Sequence, residues 1–147
     1  MSPELNHAWI AAHIPHQGGM CLLDRVLEWD AQRIVCEAVS HADAENPLRD
    51  AGRLGAAIGV EFAAQAMAVH GALLAQSAAA PAKGYLASVR GLSLHVDRLD
   101  DQQGPLRVTV ERQSGDARLI LYHFSIHCGE RCLLEGRASV VLDAQFR

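Results

Sequence analysis

Glu61 is the only acidic residue in the run Gly55–Val69, GAAIGVEFAAQAMAV, which otherwise reads as an apolar, alanine-rich helix. No Lys or Arg stands three or four residues away to pair with it. Burying an unpaired carboxylate costs several kcal/mol, so such a group either keeps its proton or meets a functional partner. Gln65, one turn further on, is the only other polar side chain before His70, and the two share a helix face. A lone acid followed by an amide on an oily helix suits a site built around a substrate, with the acid as proton donor. The alternative is a carboxylate at the helix edge, capping backbone or reaching water.

The histidines divide by position. His70 lies nine residues after Glu61, half a revolution away, so it cannot touch Glu61 in its own subunit and reads as a core or interface residue. His41 lies near an irregular loop and is a weaker candidate for a base. His95, His123 and His127 sit on strand-like runs, the last two on one face. A metal site built from them needs a third ligand that the sequence does not name. Cys128 and Cys132 flank Gly129-Glu130-Arg131, and their spacing fits neither a zinc knuckle nor a redox pair. With Cys21 and Cys36 they read as structural, reduced thiols rather than metal ligands. No cofactor is implied, because no GxGxxG follows a strand and there is no P-loop.

These residues need a frame to position them. Residues Pro3–Ala12 predict a short amphipathic helix, with Ser2 as cap and Pro3 in the first turn. The turn Ile14–Gly19 follows, then strands over Met20–Trp29 and Arg33–Val39 joined at Asp30–Gln32. His41–Leu54 reads as an irregular loop, and the long helix spans Gly55 to Ser77, ending in the linker Ala78–Lys83. Tyr85–Val96, Leu106–Arg112, Leu119–His127 and Cys132–Leu142 read as strands, with period-2 alternation strong in the last three. Between them lie the loop Asp97–Gly104 and the turns Ser114–Asp116 and Gly129–Arg131. A sheet with one apolar helix buries that helix only by wrapping around it, an α+β architecture with a long central helix in a curved antiparallel sheet. Such a unit leaves an uncovered sheet edge that a second subunit would supply.

A length of 147 residues fits one domain, 1–147 with its core over about 14–142, and the net charge of −4 gives nucleic-acid binding no electrostatic support. The N-terminus lacks the apolar stretch of a signal peptide. Glu61, Gln65 and His70 interrupt the longest apolar segment, so no membrane span and a cytoplasmic location are expected.

The opening IPHQGGMCLLDRVLEWD resembles that of the hotdog-fold 3-hydroxyacyl-[acyl carrier protein] dehydratases: a Pro-His turn (Pro15-His16), a hydrophobic strand and an Asp-Arg pair (Asp24-Arg25). GVEFAAQ over Gly59–Gln65 resembles the start of their central helix, and GYLASVR over Gly84–Arg90 the strand after it. The later hairpins match in order and length, so the resemblance covers roughly Ile14–Leu142. The His that this family carries in the loop before the helix falls, counted back from Glu61, on Pro47, and the Pro-Gly ahead of the helix is absent. The dehydratase-like proteins of aryl polyene-type pathways are similar more closely. They combine a Pro-His-x-x-x-Met turn, an Asn-Pro-Leu loop and a Glu-x-x-Ala-Gln helix, matched here by Pro15–Met20, Asn46–Leu48 and Glu61–Gln65.

The resemblance implies dehydration of a 3-hydroxyacyl thioester on an acyl carrier protein to the trans-2-enoyl thioester, at a dimer interface, in fatty-acid-like or polyene biosynthesis. Glu61 then serves as the acid, and His16 is the candidate base. Gln65 would hold the hydroxyl or orient Glu61. Asn46 lies in the matching loop, and Gly55 and Gly59 flank a helix start whose free amides would receive the enolate oxygen. Arg90 and Arg98 are candidates to meet the carrier protein or its phosphopantetheine phosphate, with solvated surface charge as the alternative. Asp24 and Arg25 are expected to pair locally or fix the turn. Two other readings remain open on this fold: an acyl-thioesterase using the helix carboxylate to activate water, and a weak or inactive partner subunit in a heterodimer. Homodimer and heterodimer are not distinguished.

Overall fold

The computed structural model describes residues 4–16, 18–75, 84–116 and 118–142. Helix α1 runs over His7–His13, shorter than the expected Pro3–Ala12. Its cap is Asn6, whose side-chain oxygen accepts from the Trp9 N–H; Ser2 and Pro3 lie outside the described residues. The expected strand Met20–Trp29 shrinks to β1, Arg25–Trp29. Cys21, Leu22 and Leu23 are all buried, and three adjacent core side chains cannot alternate across a sheet. Strand β2 follows at Arg33–Ala38.

A single 3-10 turn over Ala56–Ile58 leads into helix α2, Gly59–Ala75. The regular helix therefore starts four residues later than the expected Gly55; Ser77 and the linker Ala78–Lys83 fall outside the described residues. Strands β3 (Gly84–Leu94), β4 (Leu106–Gly115), β5 (Leu119–Cys128) and β6 (Arg131–Leu142) complete the order. Strand β4 runs past the expected stop at Arg112. Its end is made by Gly115, where a side chain would meet the Leu119 carbonyl at 2.8 Å, and by Asp116, which accepts from the Arg118 and Leu119 N–H groups.

The six strands form one antiparallel sheet in the order β1-β2-β4-β5-β6-β3. Helix α2 packs chiefly over β2, β4 and β5. Phe62, Ala63, Ala66, Val69 and Leu73 face Val108, Val110, Tyr122, Phe124 and Ile126 in one buried cluster. The segment Ala56–Ala75 is long and apolar enough to cross a membrane by length and composition, but half of it is buried within the fold. One long helix held against a six-stranded antiparallel sheet is the hotdog arrangement.

The two sheet edges differ. Strand β1 is 5 residues long and receives cover from the N-terminal segment, Val26 donating to Leu5 O at 2.9 Å. Strand β3 is 11 residues long and exposed along most of its length, with Tyr85, Leu86, Leu92 and Leu94 open to solvent.

Candidate active site

Glu61 stands in the first turn of α2. Its side chain is half-buried and has no hydrogen-bond or ion-pair partner among the described residues. The turn that holds it is braced from outside. Ala56 N–H donates to Asp97 O and Leu99 N–H to Leu54 O. Leu54 N–H is received by Asp100, which also binds the Arg98 guanidinium. Arg98 holds the Asp100 carboxyl far below the ordinary carboxylate range. Arg98 is therefore engaged by Asp100 within the chain.

Gly59 is where the helix meets the sheet most closely: a Cβ there would lie 2.7 Å from both Leu134 methyls. Its N–H, expected to be free, donates back to Ala56 O and Ala57 O of the 3-10 turn. Gly55 differs, since a Cβ on it would meet nothing within 4 Å, so space is open beside the helix start.

Gln65 is fully buried, and both ends of its amide grip the chain after the Pro-His turn. Its Nε2 donates to Met20 O at 2.6 Å and its Oε1 accepts from Leu22 N–H at 2.8 Å. These two bonds explain why Met20–Leu23 leaves the sheet: its backbone pairs with a helix side chain. The amide keeps one N–H and one lone pair for other partners. His16, in the turn so anchored, is half-buried, and its Nδ1 is shielded from solvent with no hydrogen-bond partner among the described residues. A ring nitrogen in that state has a hydrogen bond still to make.

Asn46 is also buried, but its amide is used in its own loop. Nδ2 donates to Ser40 O at 2.9 Å and Oδ1 accepts from Leu48 N–H at 2.9 Å. It shapes the Asn-Pro-Leu loop so that Pro47 packs beside the Pro-His turn, 3.6 Å from where a Gly19 Cβ would be. Gly18, Gly19, Asn46 and Pro47 line one cleft of about 270 Å³ with Asp24 and Cys21. Neither Glu61, His16 nor Gln65 lines it. The single chain thus ties the His16 turn to the Glu61 helix through Gln65, and the cleft beside that turn reaches neither the acid nor the imidazole.

His16 is not alone in its unpartnered nitrogen: the Nδ1 atoms of His41 and His127 are also shielded from solvent with no hydrogen-bond partner among the described residues. His70 is fully buried; its Nε2–H donates to Asp30 O at 2.8 Å, so its Nδ1 accepts from the Tyr122 hydroxyl at 3.0 Å. Burial pushes its pKa down, and it is a neutral core residue, as expected. His41 is buried with Nε2 3.3 Å from Gln102 O, and burial lowers its pKa too. Asp24 fixes its turn by accepting from Val39 N–H at 2.7 Å, while Arg25 pairs with Glu37 instead. All four cysteines are free, and burial pushes the Cys36 thiol up to about 12. The Gln65 grip and the Arg98–Asp100 pair were not anticipated; a buried-face Gln on an apolar helix was the one available signal for the first.

A family model described as ApeP-like, ApeP dehydratase, matches residues 8–147. No curated protein matches the sequence. Among solved structures, the chain is similar to one from the dehydratase heterocomplex ApeI:P of Xenorhabdus doucetiae, at 20% identity over 90% of each chain with a TM-score of 0.80. It is similar to AziG of S. sahachiroi at 16% identity, over 84% of this chain and 91% of that one, with a TM-score of 0.57. The thioesterase HI1161 of Haemophilus influenzae matches at 9% identity, over 80% of this chain and 76% of that one, with a TM-score of 0.60. At such identities the likeness is one of fold.

Proposed function

The chain belongs to the ApeP-like dehydratase family, and from that premise we propose that it dehydrates a 3-hydroxyacyl thioester on an acyl carrier protein to the trans-2-enoyl thioester. The setting is cytoplasmic fatty-acid-like or aryl polyene-type biosynthesis. The observation that carries this reading is Glu61, a half-buried carboxyl with no partner among the described residues, in the first turn of an apolar helix. A carboxyl so placed gives its proton to the departing C3 hydroxyl while a neutral imidazole takes the C2 proton, so water leaves and the double bond forms. His16 is the base, with Gln65 fixing the turn it stands on and offering its remaining N–H toward the substrate hydroxyl. The thioester approaches the open space beside Gly55.

The site is completed by a second hotdog subunit laid along the exposed edge of β3, since the cleft beside the Pro-His turn reaches neither Glu61 nor His16. Strand addition along this 11-residue edge, with Leu86, Leu92 and Leu94 exposed, gives its outward backbone groups partners. The solved relative is described as a heterocomplex, which favours a related subunit as partner over a second copy. Pro47, at the position of the family's loop His, favours the same second reading, in which the chain supports catalysis in a partner.

The test is intact-mass analysis of a 3-hydroxyacyl carrier protein incubated with the chain, alone and with a related hotdog dehydratase subunit, and with Glu61→Gln. Loss of one water with the wild-type chain, alone or with that subunit, and none with Glu61→Gln supports the reading. Water loss only with the partner present, unaffected by Glu61→Gln, assigns the chemistry to that partner. Loss of the whole acyl group makes the protein a thioesterase.

A further inference from the structure

The outer sheet face, away from α2, gathers four metal-binding side chains that the dehydratase reading does not use. In strict alternation Cys132 and Glu135, three residues apart, would face opposite sides of β6. The register slips between Ile126 and His127: Ser125 pairs Glu135, Ile126 pairs Leu134, then His127 pairs Cys132. Leu133 is the extra residue, buried beside Leu134. This bulge turns Cys132 onto the face of Glu135. The carbonyl of Leu133 then accepts the His95 N–H at 2.8 Å, which brings His95, just beyond β3, to the same place.

The donor atoms of His95, Cys132 and Glu135 lie within 4.8 Å of one another. His95 Nε2 is 3.1 Å from Glu135 Oε2 and Cys132 Sγ is 3.9 Å from that oxygen. His123, from β5, brings its Nε2 to 3.8 Å from Glu135 Oε1. Ligands about 2.0–2.3 Å from a tetrahedral ion stand roughly 3.3–3.8 Å apart, so only small side-chain shifts separate His95, Cys132 and Glu135 from coordination, while His123 approaches Glu135 alone. We propose that His95, Cys132 and Glu135 form a site for a borderline-soft divalent transition-metal ion, with the His123 imidazole swinging in as the fourth ligand, zinc being the chemistry the donor set fits best. Two imidazoles, one thiolate and one carboxylate suit zinc, and the two anions neutralise its charge. On binding, the Sγ–H proton leaves to solvent as the sulfur–metal bond forms. The ion ties the end of the β3 edge strand to the β5–β6 hairpin.

The proposal is independent of the dehydratase reading and is tested on the tag-free, chelator-treated full chain by titration with Co(II) and thermal melting with Zn(II). We expect one equivalent bound per chain, tetrahedral ligand-field bands, a thiolate-to-cobalt charge-transfer band and a raised melting temperature. Cys132→Ser removes the charge-transfer band, and His95→Ala weakens binding by about tenfold or more; Cys128→Ser leaves both unchanged. Should Cys132→Ser fail to fold, Glu135→Gln serves in its place and must weaken Co(II) binding while the folded apoprotein melts cooperatively. Absence of the charge-transfer band in the wild type, its survival in Cys132→Ser, or its loss in Cys128→Ser overturns the proposal.

Discussion

Three polar side chains stand on α2, and the two in its interior differ from the one in its first turn. Gln65 and His70 are fully buried, and each makes two hydrogen bonds to parts of the chain distant in sequence. Glu61 is half-buried and engages nothing among the described residues. The interior pair are fasteners, one holding the Met20–Leu22 segment and the other the β1–β2 turn at Asp30. What the difference teaches is that polarity on an apolar helix is not by itself a functional sign. The sign is polarity that the fold leaves unsatisfied.

That contrast breaks or sharpens under substitution. Glu61→Gln has the largest expected effect, about 10²- to 10⁴-fold in dehydration rate by single-turnover mass analysis, with the melting temperature nearly unchanged. Loss of stability with retained activity would place Glu61 among the fasteners. His70→Leu strands the Tyr122 hydroxyl and the Asp30 carbonyl and is expected to destabilise by about 3 kcal/mol in urea unfolding. The rate per folded molecule should hold. Gln65→Leu strands Leu22 N–H and Met20 O, for about 2 kcal/mol by the same measurement. It should also reduce the rate, though less than Glu61→Gln, since the His16 turn loses its anchor.

The smallest effect is in pH. Burial depresses the His70 pKa below its ordinary 6.5, so the unfolded chain takes up the proton first as the solution is acidified. The contribution is therefore complete above about pH 6.5 and is lost as pH falls from there through the folded value. Urea midpoints should decline across that range, and less so in His70→Leu, where His41 and His127, also depressed by burial, supply the remaining slope.

Most of the fold was legible because its elements rest on local periodicity: alternation along β4, β5 and β6, and an apolar run long enough to be a helix. The errors fall where a distant partner decides. Met20–Leu23 reads as strand from its apolar content, but a Gln from α2 takes its backbone. The bulge at Leu133 leaves no local trace, since both 133 and 134 are Leu; only pairing with β5 shows that Cys132 has changed face. At the site, the odd acid among alanines was visible in the sequence. That Gly59 N–H and the Asn46 amide are engaged within their own turns was not, because those bonds form only once the loops close.

The open edge of β3 also bears on how much of this protein a cell should make. An edge strand of 11 residues, exposed along most of its length and carrying the open apolar side chains of Leu86, Leu92 and Leu94, is a template for adding any strand that arrives, including one from an unfinished chain. Copies made in excess of whatever covers that edge are the first to aggregate or be degraded. Synthesis in fixed proportion to the covering subunit, from one transcript for instance, would keep the edge from standing open.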